Sequence, residues 1–298
     1  MSVVTPLYNS APYIAETLAS LQRQTCDDWE CILVDDGSTD DTELRVKPFL
    51  ADSRFRYLEQ EHRGIAAARN RAIQAAQGRW IALLDHDDRW LPAKLERQLA
   101  FAETHELDIV CSDATVVTSD ARFPFSDWLA EEVRRDLERS PSDDVDTFAL
   151  LIRVNFLCAS SVVARRSLFE QRGLLDPAVA AADDYDMWLR CMPEARIGYI
   201  PEPLIEYVLH SGNYSAHTLR MHEQAIDVLL RALRRHSRDR ERVRQFEASL
   251  ALQYRLTFEE LRRRGDYGAA LRHAARLLGR GLVGARILTA SLRGGAQA

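Results

Sequence analysis

The sequence predicts an α/β fold, a mainly parallel sheet flanked by helices, followed by an α-helical C-terminal region. Three observations predict it. Short β-like runs alternate with helical patterns through the first half of the 298 residues. One of these runs, residues 80–84, is wholly apolar, as a strand covered on both faces should be. Beyond His210-Ser211-Gly212 the pattern is helical throughout.

The elements follow in order. Residues 3–5 are apolar and β-branched and predict a first strand. Pro12 marks a helix start, and Ile14, Leu18 and Leu21 fall on one face at helical spacing. Residues 29–34 predict a second strand ending in Asp35-Asp36-Gly37-Ser38. Thr39 or Asp40 is suited to cap the helix that runs to about residue 50. A third strand is predicted at 55–58, then an Ala-rich helix over 64–76 stopped by Gly78, then the strand at 80–84. Pro92 opens another helix, and Ile109 and Val110 begin a fifth strand. The polar, acidic stretch 118–150 reads as an insertion of loops and helix. Residues 154–164 return to sheet-like composition, 183–192 look helical, and 196–200 read as a short strand closed by Pro201 and Pro203. Four helices are expected over 216–236, 239–264, 266–278 and 280–292.

Charge divides the chain at the same place. Residues 1–215 hold 22 Lys and Arg against 37 Asp and Glu, and residues 216–298 hold 17 against 8, so a body of net −15 carries a tail of net +9. The predicted domains are therefore 1–215 and 216–298. A total charge of −6 argues against a nucleic-acid partner, because phosphate neutralisation needs a basic surface. Five cysteines without CxxC spacing fit buried, reduced thiols. The opening MSVVTPLYN lacks a basic, apolar leader, and no apolar run is long enough to span a bilayer. The expectation is a cytoplasmic protein, at most peripheral on the inner face of the membrane.

Carboxylates dominate the candidate chemistry. In Asp85-His86-Asp87-Asp88 they cluster just past a buried strand, where open α/β sheets bind ligands. A hard divalent cation takes a few such oxygens plus phosphate oxygens from its substrate. An acidic turn that merely caps the helix at Pro92 is an equal reading. Asp36 ends the preceding acidic strand, and its oxygens suit a base N–H or a ribose hydroxyl. Asp183 and Asp184 open a helix, where a carboxylate serves either as a general base or simply as a dipole partner. His210 is a candidate metal or diphosphate ligand. Arg63 sits at a helix N-terminus, where anions bind. Arg69 and Arg71 read as partners of the acidic crevice or of solvent. The sequence contains no GxxxxGK[ST], GxSxG or HExxH.

Six segments in order resemble glycosyltransferase family 2, with its GT-A fold, in the non-processive bacterial form. They are Val3 to Asn9, Gln24 to Thr42, Gly64 to Asn70, Gly78 to Gln98 with its "DxD" block, Ser160 to Asp176, and Asp183 to Arg190. The resemblance covers most of 1–215. It implies that Tyr8 and Asp36 hold the nucleotide base with help from Arg63, that Asp85 lies near the ribose, and that Asp87 coordinates Mn²⁺ or Mg²⁺. It implies Asp184 as the base that deprotonates the acceptor and His210 as a metal or diphosphate contact, with Asp183 and Asp88 as secondary candidates. The implied reaction is inverting transfer of one sugar from a nucleotide diphosphate sugar to a saccharide or lipid-linked acceptor in cell-surface glycan synthesis. The QxxRW motif of processive synthases is absent. Two rival readings stand beside it: a silent binding module of the same fold, and a haloacid-dehalogenase-like phosphatase, whose motif needs Thr or Val where this chain has Arg89. The basic tail reads first as a helical bundle packed on the body, and second as a contact for anionic lipid.

Overall fold

The structure is a computed structural model that describes residues 1–141, 144–179, 182–213 and 218–278. The chain divides into two compact units, Met1–Leu151 with Asn155–Ser211, and Ile152–Val154 with Gly212–Ala298. The helix expected at 280–292 lies outside the described residues.

The first unit is built on a nine-stranded sheet. Strands β1 (Ser2–Leu7), β2 (Glu30–Asp35), β3 (Phe55–Glu59) and β4 (Trp80–Leu83) lie parallel in the order β3-β2-β1-β4. The order reverses between β1 and β4, and such a switch point leaves a crevice beyond the strand ends. Tyr8, Asp36 and Asp85 all sit just past those ends. Helix α1 (Ile14–Gln22) buries Ile14, Leu18 and Leu21, the stripe seen in the sequence. After α2 (Thr42–Val46), helix α3 (Ile65–Ala75) packs on β1 and β2. Its buried face is mostly alanine (Ala66, Ala68, Ala72), so the backbone approaches the sheet closely and carries Arg69 inward.

Beyond β4 the sheet is mixed. β5 (Arg89–Trp90) leads into α4 (Lys94–Thr104), and then come β6 (Ile109–Val117), β7 (Arg122–Pro124), α5 (Glu131–Arg139), α6 (Thr147–Arg153), β8 (Val163–Arg165), α7 (Arg166–Arg172), α8 (Asp183–Cys191) and β9 (Ile197–Val208). The path continues β4-β8-β6-β9-β5, with β7 beside β6. β8 is antiparallel to both of its neighbours, and β6 and β9 are parallel. Two expectations change here. The sheet-like stretch 154–164 is mostly not strand: Ser161 Oγ donates to the Cys158 carbonyl at 2.7 Å and the Leu157 N–H to Asn155 Oδ1 at 3.2 Å, local bonds that replace a ladder. The strand at 196–200 does not stop at Pro201 and Pro203. It runs on to Val208 because register shifts around Asp113 on β6 absorb the two missing donors.

Gly78 is set by a close approach. A Cβ there would lie 2.6 Å from backbone atoms of Met1 and Ser2, and the Gly78 N–H donates to Ser2 Oγ at 2.7 Å. We expect Gly78→Ala to lower stability by about 1–3 kcal/mol through backbone overlap, read as a lower urea midpoint.

The second unit contains α9 (Thr218–Arg235), α10 (Arg240–Arg263) and α11 (Tyr267–Leu278), packed in sequence. Asp239 caps α10 by accepting from the N–H groups of Glu241 and Arg242. His222 Nδ1 meets Gln253 Oε1 at 2.8 Å.

Candidate active site

The crevice at the switch point has an aromatic side, around Tyr8, and an acidic side. On the first, β2 ends at Asp35 and Asp36, both buried. Asp35 accepts from the Tyr57 hydroxyl and the Ser38 N–H, each at 2.7 Å. Asp36 is heavily engaged. Its Oδ1 accepts from Gln60 Nε2 at 2.7 Å and the Arg63 N–H at 2.8 Å, and its Oδ2 takes the Gly64 N–H at 2.8 Å. His62 Nδ1 lies 3.1 Å from the Asp36 carbonyl and 2.9 Å from Oδ2. These partners make Asp36 the organiser of the 60–64 loop. Gly64, at φ +91°, makes that loop's left-handed step into α3. The loop turns His62 onto Tyr8, with ring centroids 4.3 Å apart and planes at 29°. Tyr8 is exposed, and so is the side chain of Arg63. Ser38, Thr39 and Asp40 hold the loop after β1, through bonds to Asn9 and Ala11.

The acidic side is organised by Arg69. This buried residue of α3 reaches Asp85 Oδ1 through Nη2 at 2.6 Å and grips both oxygens of Asp183 through Nη1 at 3.1 Å. Burial by itself would disfavour its charge, but Asp85, Asp183 and Asp184 outweigh that and hold it firmly protonated. Two carboxylate clusters far apart in sequence thus meet on one guanidinium. The next residue, Asn70, exchanges two hydrogen bonds with the backbone of Leu175, at 2.7 and 2.9 Å, and so ties the segment before α8 to the same helix.

The turn after β4 is anchored along its length. The Asp85 N–H donates to Ser160 Oγ at 3.0 Å, Thr17 Oγ1 donates to the His86 carbonyl at 2.8 Å, and Trp90 Nε1 donates to the Ser160 carbonyl at 2.8 Å. Asp88 is buried. Its Oδ1 accepts from the Val208 N–H at 3.0 Å, and burial together with Asp87 and Asp85 pushes its pKa well up. Asp88 therefore joins the turn to the end of β9. That strand end also delivers His210, whose Nε2 lies 3.0 Å from Asp87 Oδ2. Tyr13 stacks on the His210 ring at 4.2 Å and 15°. Lys94, beneath the turn, is fully buried with its Nζ 3.8 Å from the Trp90 ring centroid, and burial lowers its pKa.

Asp183 and Asp184 are neighbours with different environments. Asp183 is 0% exposed and spent on Arg69. Asp184 is half-buried and accepts from the Tyr185 N–H at 2.7 Å. Burial first, then the charge of Asp183, push its pKa up to about 7 against the pull of Arg69. A carboxyl poised there can take a proton near neutrality.

A divalent cation fits Asp87 and His210. One is a hard oxygen donor and the other a nitrogen donor acceptable to Mn²⁺, and they already converge within 3.0 Å. Among the described residues no group of three or more His, Cys, Asp or Glu side chains is arranged to hold a metal ion.

The family model described as glycosyl transferase family 2 matches residues 2–173. The chain belongs to this family. TuaG of Bacillus subtilis (strain 168), a glycosyltransferase named for teichuronic acid biosynthesis, is 47% identical over 104 residues, 34% of this chain and 41% of TuaG. The Escherichia coli UDP-Glc:alpha-D-GlcNAc-diphosphoundecaprenol beta-1,3-glucosyltransferase WfgD is 34% identical over 122 residues, 41% of this chain and 48% of WfgD. The matches thus span under half the length of these two relatives. Among solved structures, S. aureus TarS 1-349 in complex with UDP-GlcNAc superposes with a TM-score of 0.63 at 21% identity, over 87% of this chain and 72% of that one. The mannosyltransferase PcManGT of Pyrobaculum calidifontis, in complex with GDP-Man and Mn²⁺, superposes with a TM-score of 0.60 at 22% identity, over 100% and 80%. These likenesses establish the GT-A fold.

Within that family frame, Asp85, Asp183 and Asp184 are brought to one place, Asp87 and His210 to a second beside it, and Tyr8, Asp36 and Arg63 to the far side of the crevice. Sequence reasoning missed His62, Tyr13 and the organising role of Asn70. A histidine after a strand and a tyrosine before a helix have no distinctive pattern, and only their ring partners mark them out.

Proposed function

We propose that this chain is an inverting, divalent-metal-dependent glycosyltransferase. It moves one sugar from a nucleotide diphosphate sugar to a hydroxyl of a saccharide or lipid-linked acceptor, in the synthesis of a cell-surface glycan. The observation that carries the reading is Asp184, a carboxyl with a pKa near neutrality in the same acidic site as a metal-competent Asp87–His210 pair.

The donor's base stacks against the Tyr8–His62 platform, and Arg63 is free to meet its phosphates. Asp36 contributes through the loop it orders. Asp85, fixed by Arg69, faces the ribose. Asp87 and His210 hold the cation, Mn²⁺ or Mg²⁺, which when bound stabilises negative charge on the departing diphosphate. Asp184 accepts the proton of the attacking hydroxyl, which approaches the sugar from the face opposite the leaving group and so inverts the anomeric carbon. Asp183 keeps Asp184 in place through Arg69. The names of WfgD and TuaG support a surface-glycan product, and the TarS and PcManGT complexes support a nucleotide-sugar donor with metal. Family membership leaves the phosphatase reading without support.

Asp87→Ala is expected to weaken Mn²⁺-dependent binding of the nucleoside diphosphate by about tenfold or more in calorimetry. Equal affinity with and without metal in the parent protein would remove the metal from the proposal. Metal-stimulated hydrolysis across a panel of UDP-, GDP- and dTDP-sugars would identify the donor.

In this reading residues 1–215 form the catalytic domain and 216–298 a helical accessory region. No helix of the described residues is long and apolar enough to cross a membrane. Exposed Arg234, Arg238 and Arg240 favour a peripheral contact with anionic lipid on the cytoplasmic face. Co-sedimentation with phosphatidylglycerol vesicles, lost when the three are changed to Glu, would bear this out.

A further inference from the structure

The start of helix α1 touches both halves of the Asp87–His210 pair. Tyr13 immediately precedes the helix, and Thr17 lies one turn on, at the spacing that puts two side chains on one face. Tyr13 stacks on the His210 ring, with centroids 4.2 Å apart and planes at 15°. Thr17 is buried and donates to the His86 carbonyl at 2.8 Å, which fixes the turn that carries Asp87. Between them Glu16 pairs with Arg89, whose Nε lies 3.0 Å from Glu206 of β9. One end of α1 thus holds both the turn after β4 and the end of β9.

Tyr13 is itself held in place. It is half-buried, and its N–H donates to the Ser10 carbonyl at 3.0 Å. The N–H of buried Ser10 donates to Thr42 Oγ1 at 2.7 Å, and that of Ala11 to Asp40 Oδ2 at 3.1 Å. The loop that presents the ring is therefore tied to the segment after β2, and little ordering remains when a ligand arrives.

His210 has a use for such a support. It lies two residues past Val208, where β9 ends. The Leu209 N–H donates to the Val117 carbonyl at 2.8 Å, which places the backbone but leaves the imidazole free to turn about its side-chain bonds. A ring nitrogen offers its lone pair in the plane of the ring, so the tilt of that plane decides where a cation can sit. The 3.0 Å contact with Asp87 cannot set the tilt once an ion lies between the two groups. The stack on Tyr13 lies on the face of the ring and is compatible with the ion. Groups that orient a ligating histidine contribute to metal affinity without touching the metal.

We propose that Tyr13 is a positioning residue: it fixes the plane of the His210 imidazole so that His210 and Asp87 converge on one cation. The inference rests on the metal-dependent reading given above. The full chain is titrated by calorimetry with UDP, GDP and dTDP, each with Mn²⁺ and with chelator, and the nucleotide that binds best is used throughout. The quantity read is the ratio of affinity with Mn²⁺ to affinity without it. Tyr13→Leu and Tyr13→Met keep apolar bulk and remove the ring. Each is expected to lower the ratio about tenfold, while the metal-free affinity and the urea midpoint stay near those of the parent. Tyr13→Phe keeps the ring and is expected to hold the ratio within about twofold of the parent. In a His210→Ala background the loss of the Tyr13 ring should have no further effect, because Tyr13 acts through the imidazole. An unchanged ratio in the ringless variants, an equal loss in Tyr13→Phe, or the same loss with His210 already removed overturns the positioning role. Failure of the metal-dependent reading shows instead in the parent, as equal affinity with and without Mn²⁺ or as no nucleotide binding, and removes the positioning role with it.

Discussion

Replacing Arg69 with Met is expected to lower folding stability by about 3–5 kcal/mol, the cost of stranding buried charge. The residue is 3% exposed and has three carboxylates around it. Without it, Asp183 is a fully buried carboxylate stripped of its guanidinium partner, and Asp85 loses a 2.6 Å ion pair. Arg69→Lys is expected to recover little, since a single ammonium on a flexible stem does not span two carboxylates as a planar fork does. Arg69→Met combined with Asp183→Leu should recover much of the loss, because removing both members of a buried pair is far milder than removing one. Urea midpoints of the four proteins decide the matter. A single variant within about 1 kcal/mol of the parent would show that Arg69 does not organise the site.

The second large effect belongs to Asp184. Asp184→Asn is expected to reduce sugar transfer by about 10²-fold or more while nucleotide affinity stays near that of the parent. In the parent enzyme the rate should rise with pH through about 7, because the base works only when ionised. The same group predicts a stability effect of opposite sense. Its folded pKa lies above the unfolded value of about 3.9, so the folded chain holds the proton more tightly. Stability from this group is full below about pH 4 and is lost as pH rises through about 7. At pH 8 the asparagine variant should therefore melt higher, by roughly 2–4 °C for about 1 kcal/mol. An inactive variant that melts no higher would leave the base assignment standing but remove the raised pKa. A variant with normal turnover would remove the assignment.

The first four strands were legible as short runs rich in apolar and β-branched or aromatic residues bounded by turn residues, and β4, buried throughout, has no polar interruption at all. Helix α1 was legible by its stripe. β9 was not, since prolines normally end a strand and only its bulged partner β6 lets this one continue. The 154–164 stretch misled for the converse reason: its apolar composition is buried, but side-chain bonds from Asn155 and Ser161 hold it out of the ladder. Asp184 was named through resemblance. Its own residues read more readily as the acidic first turn of a helix, and nothing in the sequence distinguished it from Asp183.

What the sequence alone determined is the set of local facts: where strands and helices alternate, which strand ends carry carboxylates, and where an acidic body gives way to a basic tail. These depend on neighbours a few residues apart, whose spacing any reader of the chain can see. The tertiary structure decided which carboxylate does what. Arg69 takes Asp85 and Asp183 and leaves Asp184 with a raised pKa, while Asp36 turns inward to its own loop and Asp87 meets His210. Each of those outcomes depends on burial and on a charge brought from a distant part of the chain, and a carboxylate's chemistry is set by its surroundings more than by its identity.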